Sequence, residues 1–269
     1  METQQRTYEG VSSGTFSEYM KSRKPVMGML HLKGGSEKAV LDRAKREIDI
    51  YLECGVDALL VENYFGSTED CERVLRYLHK SLPESLYGVN ILGDYRTAFR
   101  LSGEYGAKFI QLDSVCGHLP PAKDAEFAED LDELRSRGDA AVLGGVRFKY
   151  QPVLSGRSVG EDLRLGMQRC DAVVVTGEGT GIATPIGKVE EFRGVVGDFP
   201  LVVGAGVTID SVAESVPLCD GMIVGSWFKY GHSVYEDVCR GHVRSFMDRV
   251  RGCRQVGTGE RPCDVEQRR

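Results

Sequence analysis

Short unbroken apolar runs recur along the chain, each followed by a stretch whose apolar residues fall three or four positions apart. The runs cover residues 26–30, 58–61, 86–91, 108–112, 141–148 and 172–176, with two more opening at Leu201 and Asp220. Short runs rich in Val, Ile and Leu, without polar alternation, are strands covered on both faces. The intervening stretches have helical spacing. Leu41, Ala44, Ile48 and Leu52 mark one face. Cys71, Val74, Leu75 and Leu78 mark the next, then Ala98, Leu101 and Tyr105, then Phe127, Leu131 and Leu134. Val243, Phe246, Met247 and Val250 mark the last helix. Ser36, Ser67 or Thr68, and Asp94 stand where helix N-caps belong. The alternation implies parallel βαβ units with right-handed crossovers. Eight such units predict an α/β chain forming one (β/α)₈ TIM barrel. A doubly wound open sheet would carry Gly-x-Gly-x-x-Gly after the first strand, and none is there.

The barrel is expected over residues 25–251. A polar lead-in, residues 1–24, has one amphipathic piece, Phe16 to Met20, suited to covering the barrel bottom. Residues 252–269 read as a polar, disordered tail holding Cys253 and Cys263.

In this architecture chemistry sits where strands end at their C-terminal side. His31, Glu62, Asn63, Asn90, Asp94, Asp113, Lys149, Thr176, Glu178 and Ser226 fall there. Asp94 has a plain alternative as a helix cap, and Asn90 as a loop hydrogen-bonder. Glu62 and Asp113 close apolar runs, and buried carboxylates need partners, so they are candidates for proton transfer, with His31 beside them. Lys149 could neutralise a carboxylate, hold a phosphate or form an imine. Two nearby carboxylates favour the ammonium, so an electrostatic role is expected over an imine. Asn63, Asn90, Thr176 and Glu178 are candidates for substrate contacts.

The glycine turns at the last two strands are the strongest signal. Gly204-Ala205-Gly206 and Gly225-Ser226 stop two consecutive apolar runs. In TIM barrels the loops after strands seven and eight commonly cradle a phosphate, so these five residues are the expected phosphate site. Thr176-Gly177-Glu178-Gly179-Thr180-Gly181 adds small residues and hydroxyls beside them.

Composition narrows the class. The net charge of −6 argues against a nucleic-acid binder. No apolar run is long enough for a bilayer, so no membrane insertion is expected. The 8 cysteines are scattered without a Cys-x-x-Cys pair, which reads as reduced thiols in a cytoplasmic setting. Cys116-x-His118 is not a diagnostic metal spacing, so no metal and no cofactor are expected. A homo-oligomer is left open.

Several segments together resemble one family. They are Gly28-Met29-Leu30-His31-Leu32, Gly55-Val56-Asp57-Ala58 with Val61-Glu62-Asn63, and Gly88-Val89-Asn90-Ile91-Leu92. Asp171-Ala172-Val173-Val174-Val175-Thr176-Gly177, Val203-Gly204-Ala205-Gly206-Val207-Thr208 and Asp220-Gly221-Met222-Ile223-Val224-Gly225-Ser226 complete the set. On these residues the chain resembles the BtpA family, whose name is tied to photosystem I biogenesis. The resemblance covers most of residues 25–250. It implies a barrel similar to the ribulose-phosphate-binding TIM barrels, in agreement with phosphate at the glycine turns. Lys149 matches a family lysine, but Tyr150 follows it where relatives often show His. Strand four ends Gln111-Leu112-Asp113, where relatives often carry Arg and Asn, which points to a different substrate preference.

The first expectation is an enzyme acting on a phosphorylated sugar or phosphoribosyl compound, of isomerase, lyase or nucleosidase type, by acid/base chemistry. The alternative is a biogenesis or stability factor for a larger complex. A metal-dependent hydrolase using His31, Glu62 and Asp113 ranks third.

Overall fold

The computed structural model describes residues 13–257. Eight parallel strands alternate with helices and close into a barrel, β1 pairing with β8. The strands are β1 (Val26–Leu30), β2 (Ala58–Glu62), β3 (Tyr87–Asn90), β4 (Phe109–Cys116), β5 (Ala141–Val146), β6 (Ala172–Val175), β7 (Leu201–Val203) and β8 (Gly221–Val224). The outer helices are α2 (Glu37–Cys54), α3 (Thr68–Ser81), α4 (Tyr95–Tyr105), α5 (Pro121–Ser136), α6 (Val159–Arg169), α7 (Ile186–Val196), α8 (Val212–Ser215) and α9 (Arg240–Gly257), with α1 (Ser13–Arg23) ahead of the first strand. Residues 258–269 of the expected tail, Cys263 among them, lie outside the described residues, as does the start of the lead-in.

The continuous apolar runs divide between two cores by the two-residue period of a strand. In β1, Val26 and Leu30 pack outward against the helices, while Met27 and Met29 face the barrel interior. Leu60, Phe109, Leu143, Val174, Val202 and Ile223 are the matching interior residues of other strands. At the bottom, Phe16 and Met20 of α1 join this interior, Phe16 lying 5.9 Å from the Phe109 ring. That part of the lead-in is a plug.

The bottom is also stitched by a repeated device. Asp57, Asp171 and Asp220, each one residue before a strand, accept an N–H at the start of the preceding strand: Val26 at 2.9 Å, Val142, the second residue of β5, at 2.7 Å and Leu201 at 3.0 Å. Each carboxylate also meets an arginine from a helix: Arg254, Arg135 and Arg193.

Four details differ from the sequence reading. The buried face of α2 is Val40, Ala44, Ile48 and Tyr51, and Leu52 points to solvent. Tyr51 carries more apolar area than Leu52 and its hydroxyl reaches the Met29 carbonyl at 3.0 Å, which sets the helix rotation. After β7 the helical stretch shrinks to the four-residue α8. β5 stops at Val146 because Arg147 takes φ 51°, outside the extended region. β4 runs on to Cys116 through a register shift after Leu112. The shift is a bulge, and bulges re-aim side chains at barrel rims. Gly144 and Gly145 of β5 make room for it. A Cβ on Gly144 would come 2.7 Å from Val115, and one on Gly145 would strike the Asp113 carbonyl.

Candidate active site

The rule that splits the cores also selects the site. The residue two places beyond an interior core residue points into the top of the barrel. Met29 is followed in this sense by His31, Leu60 by Glu62, Phe109 by Gln111, Val174 by Thr176, Val202 by Gly204 and Ile223 by Gly225. A cavity of about 240 Å³ opens there, lined among others by His31, Glu62, Gln111, Asp113, Lys149, Gly204, Ala205, Gly206, Gly225 and Ser226.

Glu62 and Asp113 are joined through one amide. The Asn90 side-chain nitrogen donates to Glu62 Oε1 at 3.0 Å and to Asp113 Oδ1 at 3.1 Å. Burial pushes the Glu62 carboxyl up to about 7, with the Asp113 charge adding to it, while Lys149 and the Asn90 bond pull the other way. Burial also raises Asp113, against Asn90, Lys149 and Gln111. His31 Nε2 lies 3.6 Å from Glu62 Oε2. Burial, with the charges of Lys229, Lys149 and Arg43, holds this imidazole well below its usual range, so it is neutral at pH 7. His31 Nδ1 and Gln111 Oε1 are buried without a hydrogen-bond partner among the described residues. Both belong to residues lining the cavity.

Lys149 is tied to the β6 loop rather than to either carboxylate. Its Nζ donates to Thr180 Oγ1 at 3.2 Å and its N–H to Thr176 Oγ1 at 2.9 Å. The adjoining Tyr150, at φ 63°, accepts the Thr180 N–H at 2.8 Å, so the β5 and β6 loops are latched together. The Thr176 hydroxyl oxygen thus accepts from the Lys149 backbone.

The glycine turns face this group. Gly206 takes φ 63°, and a Cβ there would strike the Ile182 carbonyl. A Cβ on Gly225 would come 2.8 Å from the His31 ring. Ser226 begins the 3₁₀ turn Ser226–Phe228, where the first N–H groups have no partner within the turn. Gly181, at φ 76°, brings the β6 loop to within 3.3 Å of Ser226 Oγ, measured from the position its Cβ would take.

Asn63, Asp94, Thr176 and Glu178, all expected at the strand ends, do not line this cavity. Asn63, one place past Glu62, has the opposite parity; its Oδ1 accepts the Leu92 N–H at 2.8 Å and ties two loops together. Glu178 is exposed, beyond the end of β6, and does not line the cavity. Its charge acts on Lys188 instead. Asp94 is the N-cap of α4, accepting from Thr97 at 3.0 Å. Gln111 enters the sequence reading only as a departure from the family pattern and not as a site residue, although its place two beyond Phe109 marks it.

The loops behind the site are held by arginine–aspartate contacts. Asp162 receives Arg147 at 2.7 Å and Arg157 at 2.9 Å, and Asp124 receives Arg157 at 3.0 Å and Arg169 at 2.7 Å. Burial, with Asp162 beside it, pushes the Cys116 thiol up to about 11, so it is protonated at neutral pH. Among the described residues, no group of three or more His, Cys, Asp or Glu is placed to hold a metal ion. No helix among them is long and apolar enough to cross a membrane.

The chain is 28% identical to an uncharacterized protein of Thermococcus kodakarensis, over 87% of this chain and 97% of that one. It is 24% identical to the photosystem I biogenesis protein BtpA of Synechocystis, over 85% of this chain and 88% of that one. Among solved structures it is similar to native KDPGal, with a TM-score of 0.62, 14% identity, and 87% and 97% of the two chains covered. It is similar to phosphoribosyl anthranilate isomerase from Thermus thermophilus, with a TM-score of 0.58, 14% identity, and 85% and 98% covered. At these identities the structural likeness speaks for the fold. The BtpA family model matches residues 22–252, and the chain belongs to the BtpA family.

Proposed function

We propose that the chain is an enzyme acting on a phosphorylated sugar or phosphoribosyl compound by acid/base chemistry. The observation that carries this is the Glu62–Asn90–Asp113 group opposite the glycine turns of β7 and β8, with Glu62 near 7. A carboxyl with that value can give or take a proton at neutral pH. Asp113 is the second proton carrier. His31, neutral, stands against Glu62 and has an open ring nitrogen for a substrate hydroxyl. Gln111 has an open amide oxygen for another. Gly204, Ala205, Gly206, Gly225 and Ser226 take the phosphate through backbone N–H groups and the Ser226 hydroxyl. Lys149 supplies positive charge to the developing oxyanion. The structural likeness to phosphoribosyl anthranilate isomerase supports this substrate class.

The test is turnover against a panel of sugar phosphates and phosphoribosyl compounds. Glu62→Gln should lower kcat by about 10²–10⁴-fold for any substrate found, with binding retained. A panel in which Glu62→Gln turns over as fast as the parent removes Glu62 from the chemistry.

A second reading, a biogenesis or stability factor, rests on the name of the Synechocystis relative and on an exposed apolar rim. Tyr150, Val153, Leu154 and Ile182 stand at the cavity side with more than half their surfaces open. Large exposed apolar groups mark contact surfaces when they are contiguous.

A further inference from the structure

A second cavity, of about 400 Å³, opens beside the first. Its walls are the ends of β3 and β4 and the first turns of α4 and α5. The two cavities share Gly93, Asp113 and Gln151. Asn90, which bridges the two carboxylates, lines the second. Asp113 therefore stands at a junction between the two spaces, with Glu62 on the side of the first, joined to it through Asn90.

The second space has the lining of a ring-binding pocket. Phe127 meets Tyr95 edge-on with ring centres 5.2 Å apart and meets His118 edge-on at the same spacing. Leu112 and Leu119 add apolar wall. The Tyr95 hydroxyl is already spent on Asp130 at 2.6 Å, and Arg96 pairs with the same carboxylate at 2.8 Å. These contacts fix the wall. His118 Nδ1 is buried without a partner among the described residues. Burial lowers the His118 imidazole below its ordinary value, so the ring is uncharged at neutral pH. Flat apolar faces with a few fixed polar groups suit a small planar ligand.

Size points the same way. The first cavity, about 240 Å³, is below the ~300–1,000 Å³ usual for small-molecule sites. On the phosphosugar reading, a phosphate at β7 and β8 and a sugar reaching Glu62 would fill it. A substituent on the sugar carbon next to Glu62 and Asp113 meets the second cavity across Asp113 and Gln151.

We propose that the substrate is a phosphorylated sugar bearing a planar ring on its anomeric carbon. The phosphate sits at the glycine turns, the anomeric carbon between Glu62 and Asp113, and the ring between Leu119 and Phe127. This rests on the phosphosugar reading above and adds the second half of the ligand.

Isothermal titration of the full chain with ribose 5-phosphate, AMP, CMP and adenosine tests it. At least one mononucleotide should bind about tenfold more tightly than ribose 5-phosphate, toward the low end of what one stacked ring contributes. Leu119→Trp should bring that mononucleotide down to the ribose 5-phosphate level while ribose 5-phosphate itself still binds. Lys123→Trp, on the exposed side of the same cavity, serves as the second variant if the first is misfolded by circular dichroism. Ribose 5-phosphate binding as tightly as every mononucleotide would overturn the ring subsite and leave the phosphosugar reading standing. A mononucleotide advantage untouched by a folded tryptophan variant would place the ring elsewhere and overturn it too. No binding by any phosphorylated probe would remove both readings.

Discussion

Glu62 links stability to the pH at which chemistry runs. The unfolded chain titrates this carboxyl near 4.5 and the folded one near 7. A raised folded value means the protonated form is the one the fold prefers. Its contribution is fully present below 4.5 and is lost as pH rises to about 7. The loss is roughly 3 kcal/mol at one pKa unit per 1.36 kcal/mol. Urea unfolding of the parent and Glu62→Gln should show the parent losing ground by that order between these two pH values, then running parallel above. A difference that stays constant across the window would mean the carboxyl ionises as in water. Lys149 gives a second test at this scale. An electrostatic role for Lys149, whose Nζ donates to Thr180 Oγ1, predicts that borohydride with carbonyl substrates traps no adduct. Lys149→Met should still lose most turnover; trapping at Lys149 would turn the reading to an imine. Gly206→Val is a poor probe of phosphate binding, since its Cβ would strike the Ile182 carbonyl and move the β6 loop.

At the scale of elements, the bulge in β4 and the two glycines of β5 form one device. Gly145→Ala should displace the Asp113 backbone and cost at least about 1–3 kcal/mol, the range for overpacking a tight interior. Thermal unfolding and the pH–rate profile should both change; an unchanged profile would show that Asp113 does not depend on Gly145. This device explains what the sequence let one read and what it hid. The eight strands were legible because apolar runs buried on both faces leave a plain trace. Glu62, Asp113 and Lys149 could be placed at one rim because each follows such a run. The side chain's direction was a matter of parity, and parity needs the last interior residue to be known. Hence the sequence groups Asn63 with Glu62 though it points the other way, and marks Gln111 only as a departure from the family pattern and not as part of the site. Glu178 lies in the loop beyond β6, where strand parity no longer sets the side-chain direction, and it is exposed. The rotation of α2 is not legible in the sequence because Tyr51 reads as neither plainly apolar nor plainly polar. The aspartates that stitch the bottom stood in the motifs that carried the family resemblance, where sequence alone assigned them no structural work.

At the scale of the whole molecule, the ring closes only when β1 meets β8, so its stability depends on contacts between the two ends of the chain. Phe16 is almost fully buried by strands drawn from across that ring. Phe16→Ala should cost about 3–5 kcal/mol, read by urea unfolding, and should leave the pH limb of Glu62 in place. Met20 makes the ordering problem visible, because Gly221 of β8 has no side chain where Met20 lies. On the ribosome, α1 precedes every strand it rests against, and β8 is the last of these to be made. At about 5–20 residues per second, its apolar face waits roughly ten seconds or more for a place to dock. Closing the loop of about two hundred residues between Met20 and Gly221 costs more entropy than any local contact, so this docking is expected after the folding transition state. Loss of Phe16 should therefore speed the unfolding arm of the kinetics and leave the folding arm nearly unmoved. The plug would then act as a latch on a barrel already closed, governing how long the protein survives rather than how quickly it is made.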